Sequence, residues 1–193
     1  MAECEHTRDL KHHRRGKSSE QYLDKDIILN ALNIPPGCII LDAGCGNGYM
    51  AKTFAEQLNG TGKVYALDPD DISINVLQSE TEGTMIEPFI GDITKQIKLK
   101  DASINLIYMS TVFHGFTETQ IAGFIQEVRR LLKPNGRLAV LEIVKEETPF
   151  GPPLDMRVSP GELKQTIPLN PTNLVMAGSY FYMQIFENEP RRT

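Results

Sequence analysis

Apolar residues in this chain fall into two alternating kinds of run. Short β-rich stretches at Ile39 to Ala43, Val64 to Leu67, Met85 to Ile90, Ile104 to Met109 and Arg137 to Val144 read as strands. Between them the apolar positions recur at helical spacing. The clearest helix is Glu118 to Leu132, where Ile121, Phe124, Ile125, Val128 and Leu132 share a face, Thr117 and Gln120 make a capping box, and Gly136 lies past the end. Ahead of the first strand, Ser18 or Ser19 can cap a helix whose Leu23, Ile27, Ile28, Ala31 and Leu32 share a face, and Pro35-Pro36-Gly37 ends it. Strands alternating with helices predict an α/β fold with a mainly parallel sheet and helices on both faces.

Past Glu147 the pattern changes. Pro149, Pro152 and Pro153 predict a stiff loop, and Ser159-Pro160-Gly161-Glu162 predicts a short, capped helix stopped by Pro168 and Pro171. Thr172 to Ala177 and Tyr180 to Glu187 are β-rich runs divided by Gly178-Ser179, a hairpin signal that brings the strand count to seven. Residues 1 to 17 read as a mobile arm and residues 18 to 193 as one domain, long enough for a single core.

Candidate chemistry concentrates where the first strand ends. Ile39-Ile40-Leu41-Asp42-Ala43 runs into Gly44-Cys45-Gly46-Asn47-Gly48-Tyr49, and Asp68 ends the next strand twenty residues after Gly48. Strand, glycine turn and helix form the first half of a nucleotide-binding βαβ unit, and an acid ending the second strand is placed to hold a ribose diol. The dinucleotide pattern needs a third glycine where this chain has Tyr49, whose bulk argues against a pyrophosphate on the helix end. A nicotinamide-dependent oxidoreductase is therefore the weaker alternative.

An acid followed by G-x-G-x-G resembles the first motif of the class I S-adenosylmethionine-dependent methyltransferases. The likeness extends over roughly residues 37 to 145. It implies a Rossmann-like, doubly wound sheet with a C-terminal antiparallel hairpin, and S-adenosylmethionine as cofactor. By this resemblance Asp42, Gly44, Cys45, Gly46 and Gly48 wrap the methionine part, and Asp68, followed by Pro69, accepts the ribose hydroxyls. Asp92 of Gly91-Asp92-Ile93 accepts the adenine amino group while Ile93 lies against the ring. Ser110, opening Ser110-Thr111-Val112-Phe113-His114, marks where the chain turns past the reacting methyl, and Leu131-Leu132-Lys133-Pro134-Asn135-Gly136 resembles the run into the fifth strand. Where the family has an acid near the start of the fourth strand, this chain has Asn105. The general layout is similar to the ubiquinone/menaquinone C-methyltransferase group. The small-molecule enzymes grouped with arsenite methyltransferases are a poorer match, because Cys4, Cys38 and Cys45 do not suggest converging thiolates.

The implied reaction is in-line methyl transfer to a small-molecule acceptor, with a non-catalytic cofactor-binding protein as the other alternative. The chain lacks the Asn- or Asp-Pro-Pro-aromatic run with which resembling methylases hold a planar amino group, which argues against exocyclic amines as acceptors. His114, just past the fourth strand, is the candidate general base, histidine being suited to proton transfer near neutral pH. The arm and the Pro149 to Arg157 loop are expected to close as a lid, with Tyr22 and His114 facing the acceptor.

Charge and cysteine usage narrow the setting. A net charge of −5 disfavours a surface built for nucleic acid, although Arg8 to Lys17 is locally basic. No apolar run approaches the ~18 residues of a membrane span. Three cysteines without a CxxC motif suggest reduced thiols and a cytoplasmic protein, and His6, His12 and His13 have no clean metal spacing. The sequence is silent on oligomeric state.

Overall fold

The structure, a computed structural model, describes residues 19–189. The predicted arm, with Cys4, His6, His12, His13 and the Ser18 cap, lies outside the described residues. Seven strands form one sheet in the order β3-β2-β1-β4-β5-β7-β6: β1 (Ile39–Ala43), β2 (Lys63–Asp68), β3 (Ile86–Ile90), β4 (Ile104–Ser110), β5 (Leu132–Ile143), β6 (Asn170–Met176) and β7 (Phe181–Glu187). The first five run parallel, and β7 pairs antiparallel with both β5 and β6.

The helices α1 (Lys25–Leu32), α2 (Tyr49–Leu58) and α3 (Asp71–Glu80) cover one face, and α4 (Glu118–Leu131) and α5 (Pro160–Thr166) the other. Strand side chains alternate between the two cores. Ile40, Leu106 and Tyr108 pack with Phe54 and Ile74, whereas Leu41, Ile107 and Val140 pack with Phe124 and Leu163. That alternation explains why the central strands read as unbroken apolar runs, since both of their faces are buried. Both predicted capping boxes form, at Thr117/Gln120 and Ser159/Glu162.

Local structure departs from the sequence reading at three places. The first helix is capped by Asp24, whose carboxylate accepts the N–H groups of Asp26 and Ile27 at 3.1 and 3.0 Å. The helix starts later than the sequence suggested, because Ser19–Tyr22 forms a 3₁₀ turn and Leu23 bridges to Gly178, holding the chain extended before the helix begins. Ile27, read as part of the buried face, is exposed. At the far end of α4 the chain enters β5 directly, with Leu132 extended. Lys133 to Gly136 is a bulge in that strand, since the register jumps from Ile104↔Leu132 to Leu106↔Arg137. Finally, β6 begins at Asn170 and includes Pro171, which is tolerated because β6 is an edge strand.

Asn105 sits at the opposite end of the sheet from the glycine run. Its carbonyl accepts the Ile39 N–H at 3.0 Å and the Lys133 ammonium at 2.9 Å, joining the starts of β1 and β5 without a charge of its own.

Candidate active site

The strand order reverses between β1 and β4, since the chain passes from β1 toward β2 and β3 on one side and returns at β4 on the other. In open α/β sheets the crevice beyond the carboxyl ends at this switch point is where ligands bind. Gly44 to Gly48 fills the exit from β1, Asp68 ends β2, Asp92 follows β3, Ser110 ends β4 and His114 follows it. The residues singled out in the sequence share one edge of the sheet, although the chain from Gly44 to His114 runs through three strands between them.

The glycine loop is drawn in tightly. Gly44 and Cys45 both donate backbone N–H groups to the Leu67 carbonyl, at 2.7 and 3.0 Å. Gly44 has φ +81°, and a Cβ there would lie 2.5 Å from the Val112 side chain. Gly48, at φ +77°, would meet Leu77 of α3 at 2.4 Å. Both glycines are thus required twice, by a left-handed backbone and by close approach of a neighbouring segment.

Asp68 braces this loop. One carboxylate oxygen accepts the Gly46 N–H at 2.9 Å and the other accepts the Asp70 N–H at 2.9 Å. Each oxygen keeps a second acceptor site, so the half-buried carboxylate is positioned and still able to receive hydroxyl groups. Pro69 beside it is exposed. Asp92 is more committed: Oδ1 accepts both the N–H and the hydroxyl of Thr94, at 2.9 and 2.7 Å, and the Lys95 ammonium lies 3.2 Å from Oδ2. Partial burial works against its charge, but these partners outweigh it and hold the carboxyl below its usual range. Ile93 turns into the α4-side core.

Asp42 is the unusual acid of the group. It is buried, its Oδ2 has no hydrogen-bond partner, and its register neighbour on β4, Tyr108, has an unpartnered buried hydroxyl. Burial, with the negative charge of Asp68 adding to it, pushes the Asp42 carboxyl up to about 7. Unsatisfied buried oxygens are rare and call for an explanation. Two of them behind a glycine loop fit a ligand with a cationic, hydrogen-bonding end, such as an amino acid moiety. Cys45 is a buried thiol kept protonated by burial and by the charges of Asp42 and Asp68, so it packs and does not react.

His114 lies in the 3₁₀ turn Phe113–Gly115. Its ring Nδ1 is 2.8 Å from Glu142 Oε2, and its backbone N–H donates to Glu142 Oε1 at 3.2 Å. Glu142 is fully buried near the end of β5. Sequence reading missed it, although an acid inside the apolar run Ala139-Val140-Leu141-Glu142-Ile143 was the available signal.

A second wall stands over the same edge. Asn47 of the glycine loop donates to Glu20 at 2.8 Å, and Tyr22 stacks on Phe150 with ring centroids 4.3 Å apart and on the edge of Tyr180 at 6.1 Å. The loop carrying Phe150, expected to act as a lid, is held by Arg157. That guanidinium is buried and donates to the carbonyls of Val144, Glu146, Phe150 and Pro152. The segment is accordingly packed as a wall in this structure. Among the described residues no cluster of three metal-ligating side chains occurs, and no helix is long and apolar enough to cross a membrane.

Comparison with known proteins bears on the chemistry of this edge. A family profile described as a methyltransferase domain matches residues 40–136. The chain is 28% identical over 132 residues to the ubiquinone/menaquinone biosynthesis C-methyltransferase of Bordetella avium, covering 68% of this chain and 51% of that protein. It is 27% identical over 119 residues to the 2-phytyl-1,4-naphtoquinone methyltransferase of Trichormus variabilis, covering 61% and 52%. The chain thus spans about half the length of these relatives. The crystal structure of a SAM-dependent methyltransferase from Aquifex aeolicus superposes with a TM-score of 0.78 at 26% identity, covering 88% of this chain and 92% of that one. With the glycine loop, the acid ending β2 and the switch-point crevice all in place, the chain belongs to the class I S-adenosylmethionine-dependent methyltransferases.

Proposed function

We propose that this enzyme transfers the methyl group to a small, flat acceptor, most simply an aromatic one. The observation that carries the proposal is the aromatic wall. Tyr22, Phe150 and Tyr180 come together from three segments, and that of Tyr22 is tied through Glu20 to the glycine loop, giving the crevice an apolar, planar side. Bound S-adenosylmethionine supplies an electrophilic methyl on a sulfonium. The residues that would hold it are Asp42, Gly44, Cys45, Gly46 and Gly48 at the methionine end, Asp68 and Pro69 at the ribose, Asp92 and Ile93 at the adenine, and Ser110 beside the methyl. The remaining task of the chain is to orient the acceptor and exclude water, and orientation alone can supply about 7–11 kcal/mol.

The names of the curated relatives favour a quinone-type ring carbon as the atom methylated, and a flat quinol suits an aromatic wall. The test is incubation with methyl-labelled cofactor and a short-chain 1,4-naphthoquinol, followed by mass spectrometry. Label on the ring carbon is the expected result. With Phe150→Ala, KM for the quinol should rise ~2- to 13-fold, as the loss of one aromatic contact of about 0.5–1.5 kcal/mol predicts. Transfer only to a protein or nucleic acid in the same assay would contradict the small-molecule reading.

A further inference from the structure

We infer that Glu142 and His114 act as a proton-accepting pair at the methyl-transfer site, so that the acceptor's nucleophile is one that must lose a proton: a phenol-type hydroxyl, or a ring carbon conjugated to one. The inference rests on the small-molecule methyltransferase reading above.

Burying a carboxylate in an apolar strand is costly unless its oxygens are engaged. Both hydrogen bonds of Glu142 go to His114, one to the backbone N–H and one to ring Nδ1. Its register neighbour on β7, Tyr182, donates its hydroxyl to the Val158 carbonyl instead, and burial together with the charges of Glu142 and Glu162 keeps that phenol protonated. A carboxylate facing Nδ1 places the ring proton there and leaves Nε2 with its lone pair, as a base requires. The His114 side chain is 18% exposed and that of Glu142 not at all, so the imidazole is the member of the pair that a ligand can reach.

Position completes the case. Val112, two residues before His114, is the side chain that a Cβ on Gly44 would strike at 2.5 Å. The turn bearing the base therefore abuts the loop bearing the cofactor motif. An amine with a free lone pair or an ionised thiol needs no such group, while a hydroxyl gains from one. In the balanced step, the acceptor O–H proton passes to His114 Nε2. The electron pair released, on oxygen or through the ring on carbon, forms the bond to the methyl carbon. The old carbon–sulfur pair stays on sulfur as a neutral thioether. For carbon attack, the ring proton is then released to water and the imidazolium returns its proton to the oxygen, which restores the aromatic phenol and the neutral His114. Glu142 is a positioning residue in this scheme, fixing the tautomer and balancing the imidazolium charge.

Two measurements test the pair. In protein carrying nitrogen-labelled histidine, the His114 signals, assigned by their loss in His114→Gln, should show the neutral ring protonated at Nδ1. In Glu142→Gln the Nε2-protonated form should appear. A wild-type ring protonated at Nε2 would overturn the inference, and this arm needs no acceptor. The second arm is a panel of phenols, naphthols, thiols and amines. With a phenol, His114→Gln should lower kcat by ~10²–10⁴-fold. Glu142→Gln should lower kcat by at least ~10-fold, with KM changed less than ~3-fold in both variants. A nitro-substituted phenol already ionised at the assay pH should recover most of the rate. Equal losses on ionised and un-ionised phenols, or methylation confined to thiols and amines, would overturn the acceptor class. Failure to bind S-adenosylmethionine would instead strike the methyltransferase reading and leave the tautomer result to be judged separately.

Discussion

Between pH 5 and pH 8 the Asp42→Asn variant should gain about 3 kcal/mol of stability relative to the wild type. Folding raises this carboxyl from its ordinary 3.8 to about 7, because burial and the Asp68 charge disfavour the anion. Between those values the folded protein holds a proton that the unfolded chain has released, so wild-type stability falls as pH rises through the window and levels off above it. Two units of pH within that window, at 1.36 kcal/mol each, give the figure. Asparagine cannot ionise and removes the slope. Thermal unfolding of both proteins across this range measures the difference, and parallel curves would show that Asp42 is ionised throughout. The same proton links to the ligand. A cofactor whose ammonium lies near Asp42 favours the anion, so binding near pH 6.5 should release a proton, read as a buffer-dependent heat in calorimetry.

Arg157→Met should destabilise the protein by about 3 kcal/mol and free the loop that carries Phe150. The guanidinium donates to four carbonyls spread over Val144 to Pro152, and each one left dry costs roughly 1–3 kcal/mol. Water can reach some of them, and the substitution removes the cost of burying a charge, which keeps the sum below the simple total. The functional consequence is larger than that of a surface change, because Tyr22 loses the ring on which it stacks. Urea unfolding gives the energy, and hydrogen exchange across Glu146 to Arg157 gives the local effect. Unchanged exchange would mean that the wall is held by its prolines and aromatic contacts without the arginine.

The layout of the fold was legible because it rests on local signals. Central strands buried on both faces leave unbroken apolar runs, and the helices keep a buried stripe and, at Thr117 and Ser159, a capping box. The glycine loop was equally legible, since a left-handed backbone and close approach by Val112 and Leu77 leave only glycine at Gly44 and Gly48. What escaped sequence reading depends on distant contacts. His114 meets Glu142 across 28 residues, and Arg157 gathers four carbonyls from the stretch Val144 to Pro152. No spacing rule joins those positions. The Asp24 cap was overlooked for a different reason: two serines nearby are equally good caps, and only the Leu23–Gly178 bridge decides between them. The bulge after α4 likewise reflects pairing of β5 with β4, which its Pro-Asn-Gly run does not reveal.

Calorimetric titration of the wild type and Asp68→Ala with S-adenosylmethionine and with NAD tests most directly whether S-adenosylmethionine lies between the glycine loop and Asp68. A charge-assisted diol contact contributes about 1.5–3 kcal/mol, so the wild type should bind S-adenosylmethionine and give no heat with NAD, and the variant should bind ~10- to 100-fold more weakly. Binding of NAD alone, or an affinity for S-adenosylmethionine unchanged by the loss of the Asp68 carboxylate, would contradict that placement.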